Sequence, residues 1–282
     1  MIKQESFKNE LPTLYLVATP IGNLEEMTPR AISVLREVDI VAAEDTRHAG
    51  ILMSHFGIKT KMISHHAHNE KESAKGILEL FKSHNKIALI SDAGYPLISD
   101  PGQTLVKDVI AEGYNVVPIS GSSAFLNALV ASGLVTQKFA FMGFLEAKET
   151  ALRKQLEQDK AIPLTLVYYL SVHKLEKSLE IMYNVLGNRQ IVLARELTKL
   201  HEEFIRGSVS EVIENLGTLK GEFVLVVDQD REEKEVNFSD LVEEVRKECD
   251  AGVSVSRAIS VVAKRHNVPK NALYAFYHEE AI

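Results

Sequence analysis

Short apolar runs alternate with amphipathic stretches through the first 130 residues, and this alternation constrains the fold more than any other feature. Each run has the length of a short buried strand, and each amphipathic stretch has the length of a short helix. The predicted strands cover residues 14–18, 38–43, 61–64, 87–90 and 115–119. Strands that alternate with helices form a mostly parallel sheet with helices on both faces. The first part of the chain is therefore predicted to be an α/β domain.

Local signals place several helix starts in this region. Thr28 is a predicted N-cap, and Pro29 follows it at the first helical position. Asn69 and Glu72 have the spacing of a capping box, which predicts a helix running to about residue 84.

The second half of the chain has a different order of elements. Its predicted helices cover residues 148–159 and 172–186, and Ser208 with Glu211 predicts a capping box. Its predicted strands cover residues 139–144, 164–169, 190–195, 203–207 and 223–228. Because the strands at 190–195 and 203–207 follow each other without a helix between them, this sheet is predicted to be mixed.

The C-terminal segment is predicted to be a separate helical module. Residues 229–235 contain no apolar side chain and are typical of a linker. Three short helical patterns follow, with tight turns between them, as in a helix-turn-helix module. Residues 254–278 contain four basic side chains and no acid. This favours a local nucleic-acid surface, but a small dimerisation or capping domain fits equally well.

Bulk properties limit the possible classes of protein. The length of 282 residues fits about two domains, and no apolar run approaches the roughly 20 residues of a membrane span. The formal charge of −7 argues against nucleic-acid binding over the whole surface. The single cysteine excludes an internal disulfide and suits a reducing cytoplasm. The first 12 residues lack the apolar centre of a signal peptide.

Residues 91–102 form the most informative loop. They contain Ser-Asp-Ala-Gly and, eight residues later, Ser-Asp-Pro-Gly, between a predicted strand and a predicted helix near 104–110. Open α/β sheets bind ligands in such loops, and glycines allow the backbone to approach a ligand closely. The alternative is a tight crossover in which the two aspartates only cap turns.

Several common sites lack their sequence signatures. The chain has no Gly-x-Gly-x-x-Gly and no Gly-x-x-x-x-Gly-Lys-Ser/Thr, which argues against a dinucleotide site and a P-loop ATPase. It also has no His-Glu-x-x-His and no Cys-x-x-Cys, so a zinc site has no framework. His66 and His68 are possible metal ligands, but no ligand set with fixed spacing accompanies them. Hydrogen bonding or substrate contact is therefore the favoured role for these histidines.

Five loops are predicted to meet at one cleft, because each follows the carboxyl end of a strand in the same parallel sheet. They contain carboxylates, an arginine, imidazoles, small hydroxyls and exposed backbone N–H groups. This set of groups suits the binding of a polar organic cofactor and a polyhydroxylated substrate, and the binding needs no metal ion. The loops are residues 19–23, 44–47, 65–69, 91–102 and 120–124.

Motifs in these loops, together with two later ones, resemble those of the ribosomal RNA small subunit methyltransferase I family, within the tetrapyrrole-methylase (class III) superfamily. They follow the family's order over essentially the whole chain, including a small helical C-terminal module. The motifs are Thr-Pro-Ile-Gly-Asn-Leu (19–24), Ala-Glu-Asp-Thr-Arg (43–47), His-Ala-His-Asn-Glu (66–70), the loop at 91–102, Arg-Glu-Leu-Thr-Lys-Leu-His-Glu-Glu (195–203) and Lys-Gly-Glu-Phe (220–223).

The resemblance implies a two-domain tetrapyrrole-methylase-like fold. It consists of a parallel-sheet N-terminal domain (1–121), a mixed-sheet second domain that completes the cofactor cleft (122–230), and a helical module (236–282). The implied activity is methyl transfer from S-adenosyl-L-methionine to the ribose 2′-hydroxyl of a cytidine in the decoding region of 16S rRNA. The implied partners are 16S rRNA in the small ribosomal subunit and a second copy of the chain. No membrane association is implied, and the implied location is the cytoplasm.

The resemblance also assigns roles to individual residues. Glu44 and Asp100 are the catalytic candidates, because both are polar, lie on loops and are near the inferred cleft; which of them is a base stays open. The substrate candidates are Asp45, Arg47, His66 and Asn69. The cofactor candidates are Pro20, Ser91, Asp92, Ala93, Ile98, Ser122, Ser123 and Ala124 from the N-terminal side and Leu170, Leu197 and Gly221 from the second domain.

The chain departs from the family pattern at three places. Residues 120–124 are Ser-Gly-Ser-Ser-Ala where Pro-Gly-Pro-Ser-Ala is usual. Residues 169–174 are Tyr-Leu-Ser-Val-His-Lys instead of Tyr-Glu-Ser-Pro-His-Arg, and residues 143–148 are Gly-Phe-Leu-Glu-Ala-Lys instead of Gly-Phe-Leu-Pro-Arg-Lys. The last two changes remove a carboxylate and an arginine that could contact cofactor or RNA.

Two alternative functions follow from the same sequence. A tetrapyrrole methyltransferase with this fold would not need the helical module. A non-catalytic RNA-binding or assembly factor would explain the departures at Leu170, Val172 and Ala147. Both methyltransferases are expected to bind S-adenosylmethionine, so the absence of detectable binding would favour the non-catalytic factor.

Overall fold

The chain folds into two compact units, residues 1–230 and 231–282. A computed structural model describes residues 3–66, 70–217, 219, 221–229, 238–266 and 268–279. The first unit contains two five-stranded sheets, and the described part of the second unit is helical. The predicted α/β class, with a parallel sheet, a mixed sheet and C-terminal helices, is confirmed.

The first sheet is entirely parallel, and its strands have the order β3-β2-β4-β1-β5. All five predicted strands are present. They are β1 (Thr13–Val17), β2 (Ile40–Ala43), β3 (Lys61–Ser64), β4 (Lys86–Ile90) and β5 (Asn115–Ile119).

Helices cover both faces of this sheet, as the sequence predicts. Apolar side chains of α1 (Pro29–Glu37) and α2 (Thr46–His55) pack on one face. Those of α3 (Glu70–Leu80) and α4 (Gln103–Ala111) pack on the other. The neighbouring strands β1 and β4 therefore lead into helices on opposite faces. Such a switch point opens a crevice at the carboxyl ends of the strands.

The start of the second strand differs from the prediction, and the predicted start of α3 is not tested by the described residues. The second strand was expected from residue 38 but begins at Ile40, because Val38 ends α1 and the Asp39 carboxylate accepts hydrogen bonds from the backbone N–H groups of Asn85 and Lys86. The predicted capping box at the start of α3 involves Asn69, which lies outside the described residues.

The second sheet is mixed, as predicted, with the strand order β6-β7-β10-β8-β9. Only β6 and β7 run parallel to each other; the other neighbours are antiparallel. The strands are β6 (Phe139–Phe144), β7 (Thr165–Ser171), β8 (Gln190–Arg195), β9 (Glu203–Ser208) and β10 (Glu222–Val227).

Helix α5 (Ala124–Ser132) lies on one face of this sheet, and α6 (Glu149–Asp159), α7 (Leu175–Leu186) and α8 (Val209–Glu214) cover the other. The helix predicted over 172–186 is not continuous, because Val172–Lys174 forms a 3₁₀ turn before α7 begins. The predicted capping box that starts α8 is confirmed.

Strand β6 contains a β-bulge. Phe141 is opposite Val167, Gly143 is opposite Tyr168, and the register shifts between them. Gly143 has a positive φ of 75°, which glycine adopts without a steric penalty. A one-residue shift moves every following side chain to the other face of a strand. Phe144 is consequently opposite Tyr169.

The second unit contains the three predicted helices, α9 (Phe238–Asp250), α10 (Val255–Arg265) and α11 (Lys270–Glu279). Their apolar sides form one small core that includes Val245, Ile259 and Leu273. The linker predicted at 229–235 lies outside the described residues beyond Gln229. Within the described ranges, no helix has both the length and the apolar character needed to cross a bilayer.

Gly121 connects three loops at the carboxyl edge of the first sheet. A Cβ at this position would lie 2.8 Å from Cβ of Ala18 and 3.3 Å from its carbonyl oxygen. The N–H of Gly121 donates to the hydroxyl of Tyr95, 3.2 Å away. Only glycine therefore allows the backbones after β1 and β5 to approach this closely.

We predict opposite effects of alanine at two glycines. Gly121→Ala should lower the free energy of unfolding by about 1–3 kcal/mol, because the added methyl group displaces the backbone at Ala18. Gly76→Ala should raise it by about 0.5–1 kcal/mol, because Gly76 is an exposed residue of α3 with open space around its Cβ position. Chemical denaturation of both variants measures the two changes, and equal effects would contradict the close approach at Gly121.

Candidate active site

A cleft of about 570 Å³ lies between the carboxyl edge of the first sheet and the edge of the second sheet where β7 ends and β10 begins. Its volume falls in the range of small-molecule sites. Ten of the residues predicted to form the site line this cleft: Glu44, Asp92, Ala93, Ile98, Asp100, Ser123, Ala124, Leu170, Leu197 and Gly221.

The loops after β1 and β4 are joined at the cleft by a pair of backbone hydrogen bonds. The N–H of Thr19 donates to the carbonyl of Gly94 at 2.9 Å, and the N–H of Gly94 donates to the carbonyl of Thr19 at 3.0 Å. Since β1 and β4 lead to opposite faces of the sheet, this pair spans the switch point. Ile21, two residues further along, lines the cleft.

The loop at residues 91–102 contains two residues with unfavourable backbone angles. Leu97 and Ser99 have φ values of 73° and 68°, in the left-handed region that costs a non-glycine residue free energy. At its end, the Glu70 carboxylate accepts hydrogen bonds from the N–H groups of Gly102 (3.1 Å) and Thr104 (3.2 Å). These bonds lower the pKa of Glu70. Glu70 thus caps α4 and fixes the end of the loop.

Three carboxylates, from Glu44, Asp92 and Asp100, line the same part of the cleft. Burial raises the pKa of Asp100 to about 6, and the charges of Glu44 and Asp92 add to this effect. A hydrogen bond from Ser91 acts in the opposite direction. Burial and the charge of Asp92 also raise the pKa of Glu44. The cleft therefore has a wall of closely spaced negative charge, suited to a cation or to hydrogen-bond donors.

The backbone connects this acidic wall across β2 and β4. The N–H of Asp45 donates to the Asp92 carboxylate at 3.3 Å. The backbone N–H of Asp92 partly offsets the rise in the pKa of Glu44. The bond from Asp45 thus ties the loop that carries Glu44 to the side chain of Asp92.

The start of α5 also faces the cleft, where Ser123 and Ala124 line it. Ser123 is the N-cap residue but its side chain makes no capping hydrogen bond, whereas Thr28 and Asp45 cap α1 and α2 with theirs. The side chain of Ser123 therefore does not occupy the N-terminus of α5, and a helix N-terminus favours an anionic group electrostatically.

The opposite wall comes from the loop after β8 and the start of β10. Glu196 and Thr198 have positive φ values of 48° and 68°. The Nζ of Lys199 lies 3.1 Å from the Glu196 carboxylate. Cβ atoms added at Gly22 and Gly221 would collide with Lys199 and Glu196, respectively. Both glycines thus allow this loop to pack closely against its neighbours.

Aromatic side chains form the remaining wall. Tyr169 and Phe144 line the cleft, with ring centroids 5.2 Å apart. Burial raises the pKa of Tyr169, and the charge of Asp100 raises it further. Tyr169 and Asp100 therefore face the same cleft.

Three predicted cofactor residues do not line the cleft. Ser91 is buried, and its hydroxyl donates to the carbonyl of Gly94 at 3.3 Å. The Ser122 hydroxyl donates to the Glu26 carboxylate at 2.8 Å. Pro20 lies between Thr19 and the lining residue Ile21. These residues support the shape of the loops around the cleft.

The predicted substrate residues lie outside the lining of the cleft. Asp45 caps α2 and pairs with Arg47 at 2.7 Å, and this partner lowers the pKa of Asp45. The Arg47 side chain is 90% exposed. His66 follows the edge strand β3, and its charge lowers the pKa of Glu44 slightly. Asn69 is outside the described residues.

Several lining residues were not singled out from the sequence. Glu196, Lys199, Tyr169 and Phe144 all belong to the quoted family motifs, but no local pattern in the sequence indicates which side chains of those motifs face the cleft. The charged pair Glu196 and Lys199, three residues apart, was the available signal. In the described portion of the chain, no three His, Cys, Asp or Glu side chains are arranged to hold a metal ion.

Comparisons with known proteins relate the whole chain to one group of enzymes. A family model described as Tetrapyrrole (Corrin/Porphyrin) Methylases matches residues 13–213. Proteins named Ribosomal RNA small subunit methyltransferase I are similar over nearly the full length. The one from Halalkalibacterium halodurans is 44% identical over 99% of this chain and 100% of its own. Those from Bacillus subtilis (45%; 98% of both chains) and Escherichia coli O157:H7 (41%; 99% of both chains) are similar to the same extent.

Solved structures share the fold at lower sequence identity. Diphthine synthase superimposes with a TM-score of 0.60 and 14% identity, covering 77% of this chain and 89% of its own. Uroporphyrin-III-C-methyltransferase from Thermus thermophilus superimposes with a TM-score of 0.54 and 21% identity, covering 77% and 94%. At these sequence identities, the two structural similarities establish the fold alone.

We predict that Asp100→Asn stabilises the protein in a pH-dependent way. Because the pKa of Asp100 is raised from 3.8 to about 6, ionisation of this carboxyl destabilises the folded state progressively between those values. The rise in the thermal unfolding midpoint caused by Asp100→Asn should therefore be small at pH 4.5 and complete at pH 7.5.

Asp45→Asn is the control with the opposite sign. The pKa of Asp45 is lowered, so its carboxylate stabilises the folded state above the unfolded pKa, and this contribution is lost as the pH falls. Because pH 7.5 and pH 4.5 both lie above the ordinary pKa of 3.8, Asp45→Asn should destabilise the protein by a similar amount at the two pH values. A shift for Asp100→Asn that is equal at both pH values would contradict the raised pKa.

Proposed function

This chain belongs to the ribosomal RNA small subunit methyltransferase I family of the tetrapyrrole methylases, and from that premise we propose that it transfers a methyl group from S-adenosylmethionine to the ribose 2′-hydroxyl of a cytidine in 16S rRNA. The observation that carries the proposal is the identity of 41–45% to enzymes of that name over nearly the full length of both chains.

The helical module supports an rRNA substrate over a tetrapyrrole. The family model of the tetrapyrrole methylases ends at residue 213, before α9 begins at residue 238. The rRNA methyltransferases, in contrast, align over 98–99% of this chain. A similarity that includes the module favours the substrate of those relatives.

The cleft fits S-adenosylmethionine in size and in chemistry. Its volume of about 570 Å³ and its apolar side chains, such as Ala93 and Leu197, suit an adenosyl group. The carboxylates of Asp92 and Asp100 suit the positive charge of a sulfonium. The N-terminus of α5, which the side chain of Ser123 does not cap, suits the carboxylate of the methionine part.

When bound, S-adenosylmethionine supplies a methyl group on a positively charged sulfur, and the 2′-oxygen attacks that carbon in line as the carbon–sulfur bond breaks. The residues of the cleft hold the two reactants in this alignment and exclude water from them. The 2′-hydroxyl must also lose its proton. A carboxylate at the oxygen can accept it, which contributes roughly 10²- to 10⁴-fold to the rate.

Asp100 is the better candidate for this base. Its pKa of about 6 is close to neutral pH, which favours proton transfer while keeping the carboxyl mostly ionised. The backbone N–H of Asp92 lowers the pKa of Glu44, and the charge of Glu44 contributes to the raised pKa of Asp100. In this proposal Asp100 accepts the proton, and Glu44 keeps the basicity of Asp100 high.

The exposed basic side chains of α10 and α11 are proposed to bind RNA phosphates. Arg257, Lys264 and Lys270 are exposed, whereas Arg265 is paired with Glu244 and Glu248 on α9. Phosphate contacts of this kind make binding depend strongly on salt. The homodimer implied by the family remains a prediction of the same proposal.

We predict that the protein labels the cytidine ribose of unmodified small-subunit particles incubated with methyl-labelled S-adenosylmethionine. Asp100→Asn should lower the rate at saturating cofactor by about 10²-fold or more, because the proton acceptor is lost. The wild-type rate should fall below about pH 6, and this dependence should be absent in the variant. Nuclease digestion followed by mass spectrometry locates the methyl group.

Asp108→Asn on α4 is the control for this experiment, because the side chain follows the same loop but does not line the cleft. It should retain the wild-type rate. Label on a base, or on a porphyrinogen acceptor instead of RNA, would contradict the proposed function. A loss confined to cofactor affinity in Asp100→Asn would contradict the role of Asp100.

We predict that replacing Arg257, Lys264 and Lys270 together by alanine weakens binding to the particles. The negative slope of the logarithm of the association constant against the logarithm of the salt concentration should become less steep by up to about 3. Affinity for S-adenosylmethionine should be unchanged. The control variant replaces three exposed lysines of the first unit, Lys107, Lys154 and Lys160, and so removes the same charge. Equal weakening in both variants would contradict a specific surface on α10 and α11.

A further inference from the structure

We propose that Phe144 forms a stacking platform for the base of the nucleotide being methylated, outside the part of the cleft assigned to the cofactor. This inference rests on the proposed function, because it requires an RNA nucleotide in the cleft. It adds a binding subsite for a nucleobase, which the catalytic and cofactor residues do not provide.

The bulge in β6 is what brings Phe144 to the cleft. Before the bulge, Phe141 is opposite Val167, and both side chains belong to the core cluster under α5. Met142 packs against the other face of the sheet. Regular alternation would place Phe144 on the face of Met142. The shift at Gly143 instead places it opposite Tyr169, on the face of Phe141 and the cleft.

Bulges beside functional sites redirect a side chain, and here the redirected side chain is a large exposed aromatic. Phe144 is 59% exposed although it lines the cleft. On the same strand, Phe139 is 36% exposed and packs near the ring of Phe125. The fold thus holds an apolar ring in solvent at the cleft, supported from one side by the ring of Tyr169.

The connectivity of a nucleotide places its base at this ring. The base is attached to the ribose carbon next to the one that carries the 2′-hydroxyl. A ribose with its 2′-oxygen at Asp100 therefore brings its base into the same cleft. Asp100, Tyr169 and Phe144 line one cleft, and the rings of Tyr169 and Phe144 are in contact, so the aromatic wall and the proposed proton acceptor face the same space.

A base that reaches this position has left the stack of its own strand. Enzymes that act on such nucleotides recover the lost stacking energy on aromatic side chains. Stacking of a base on an aromatic side chain changes binding by roughly 5- to 150-fold. A planar ring with one free face meets this requirement, and the exposed fraction of Phe144 provides that face.

The adenine of the cofactor is a less suitable occupant. Of the apolar residues proposed for the cofactor, Leu170, Leu197 and Ala124 are buried or partly buried, whereas Ala93 and Ile98 are exposed. Phe144 is more exposed than Ile98, 59% against 39%, as expected for a site that meets a large substrate entering from solvent.

Fluorescence tests the stacking directly, because the chain contains no tryptophan. Phe144→Trp introduces a single indole at the proposed platform. Cytidine 5′-monophosphate should quench its emission, whereas ribose 5-phosphate, which lacks the base, should not. Phe139→Trp is the matched control on the same strand and face, and neither probe should quench it. Quenching of Phe144→Trp by S-adenosylhomocysteine alone, without any by the cytidine nucleotide, would overturn the proposal.

Kinetics provide a second, independent measurement. Phe144→Ala should raise the KM for unmodified small-subunit particles by about 5- to 150-fold and leave the dissociation constant for S-adenosylmethionine unchanged. Phe144→Tyr should restore a KM near that of the wild type, because the ring is kept. Phe144→Leu, which keeps apolar bulk without a ring, should not.

The two levels of proposal fail in different ways. If the wild-type protein does not methylate RNA ribose, the proposed function is wrong. If the wild type is active but Phe144→Ala leaves the KM for particles unchanged, or Phe144→Leu restores it as well as Phe144→Tyr, the stacking platform is wrong and the function stands.

Discussion

The backbone hydrogen bonds between Thr19 and Gly94 are the contact on which the site depends. They join the loops after β1 and β4, two neighbouring strands whose helices lie on opposite faces of the sheet. This geometry creates the crevice, and the close approach of Gly121 to Ala18 brings the loop after β5 to the same edge. The acidic residues are then presented from fixed backbone rather than from flexible loops.

Charge and strain are concentrated in this cleft. Burial, together with the crowding of Asp100, Glu44 and Asp92, raises the pKa of Asp100 and of Glu44. The four non-glycine residues with positive φ in the described chain all lie in the two loops that line the cleft: Leu97, Ser99, Glu196 and Thr198. Both features cost free energy and are maintained by the surrounding sheets. Such costs at one place are typical of a functional site.

The sequence predicts the elements better than it predicts the walls of the cleft. Strands β5, β6 and β8 have the predicted bounds, because apolar runs bounded by polar residues are local signals. The wall formed by Glu196 and Lys199 depends on how the second sheet packs against the first, which no local pattern records. The bulge at Gly143 is a further case. Its effect on Phe144 depends on pairing with a strand some 25 residues away.

The strand order has a consequence for the synthesis of the chain. Strand β1 is made first but lies between β4 and β5, so one of its edges remains unpaired until residue 90 has been synthesised and the other until residue 119. The cleft needs residues from Ile21 to Val224, so almost the whole first unit must emerge before any ligand can bind there. A ligand of the cleft therefore stabilises only chains in which both sheets have formed. An incomplete or misassembled chain gains nothing from it and stays exposed to proteolysis.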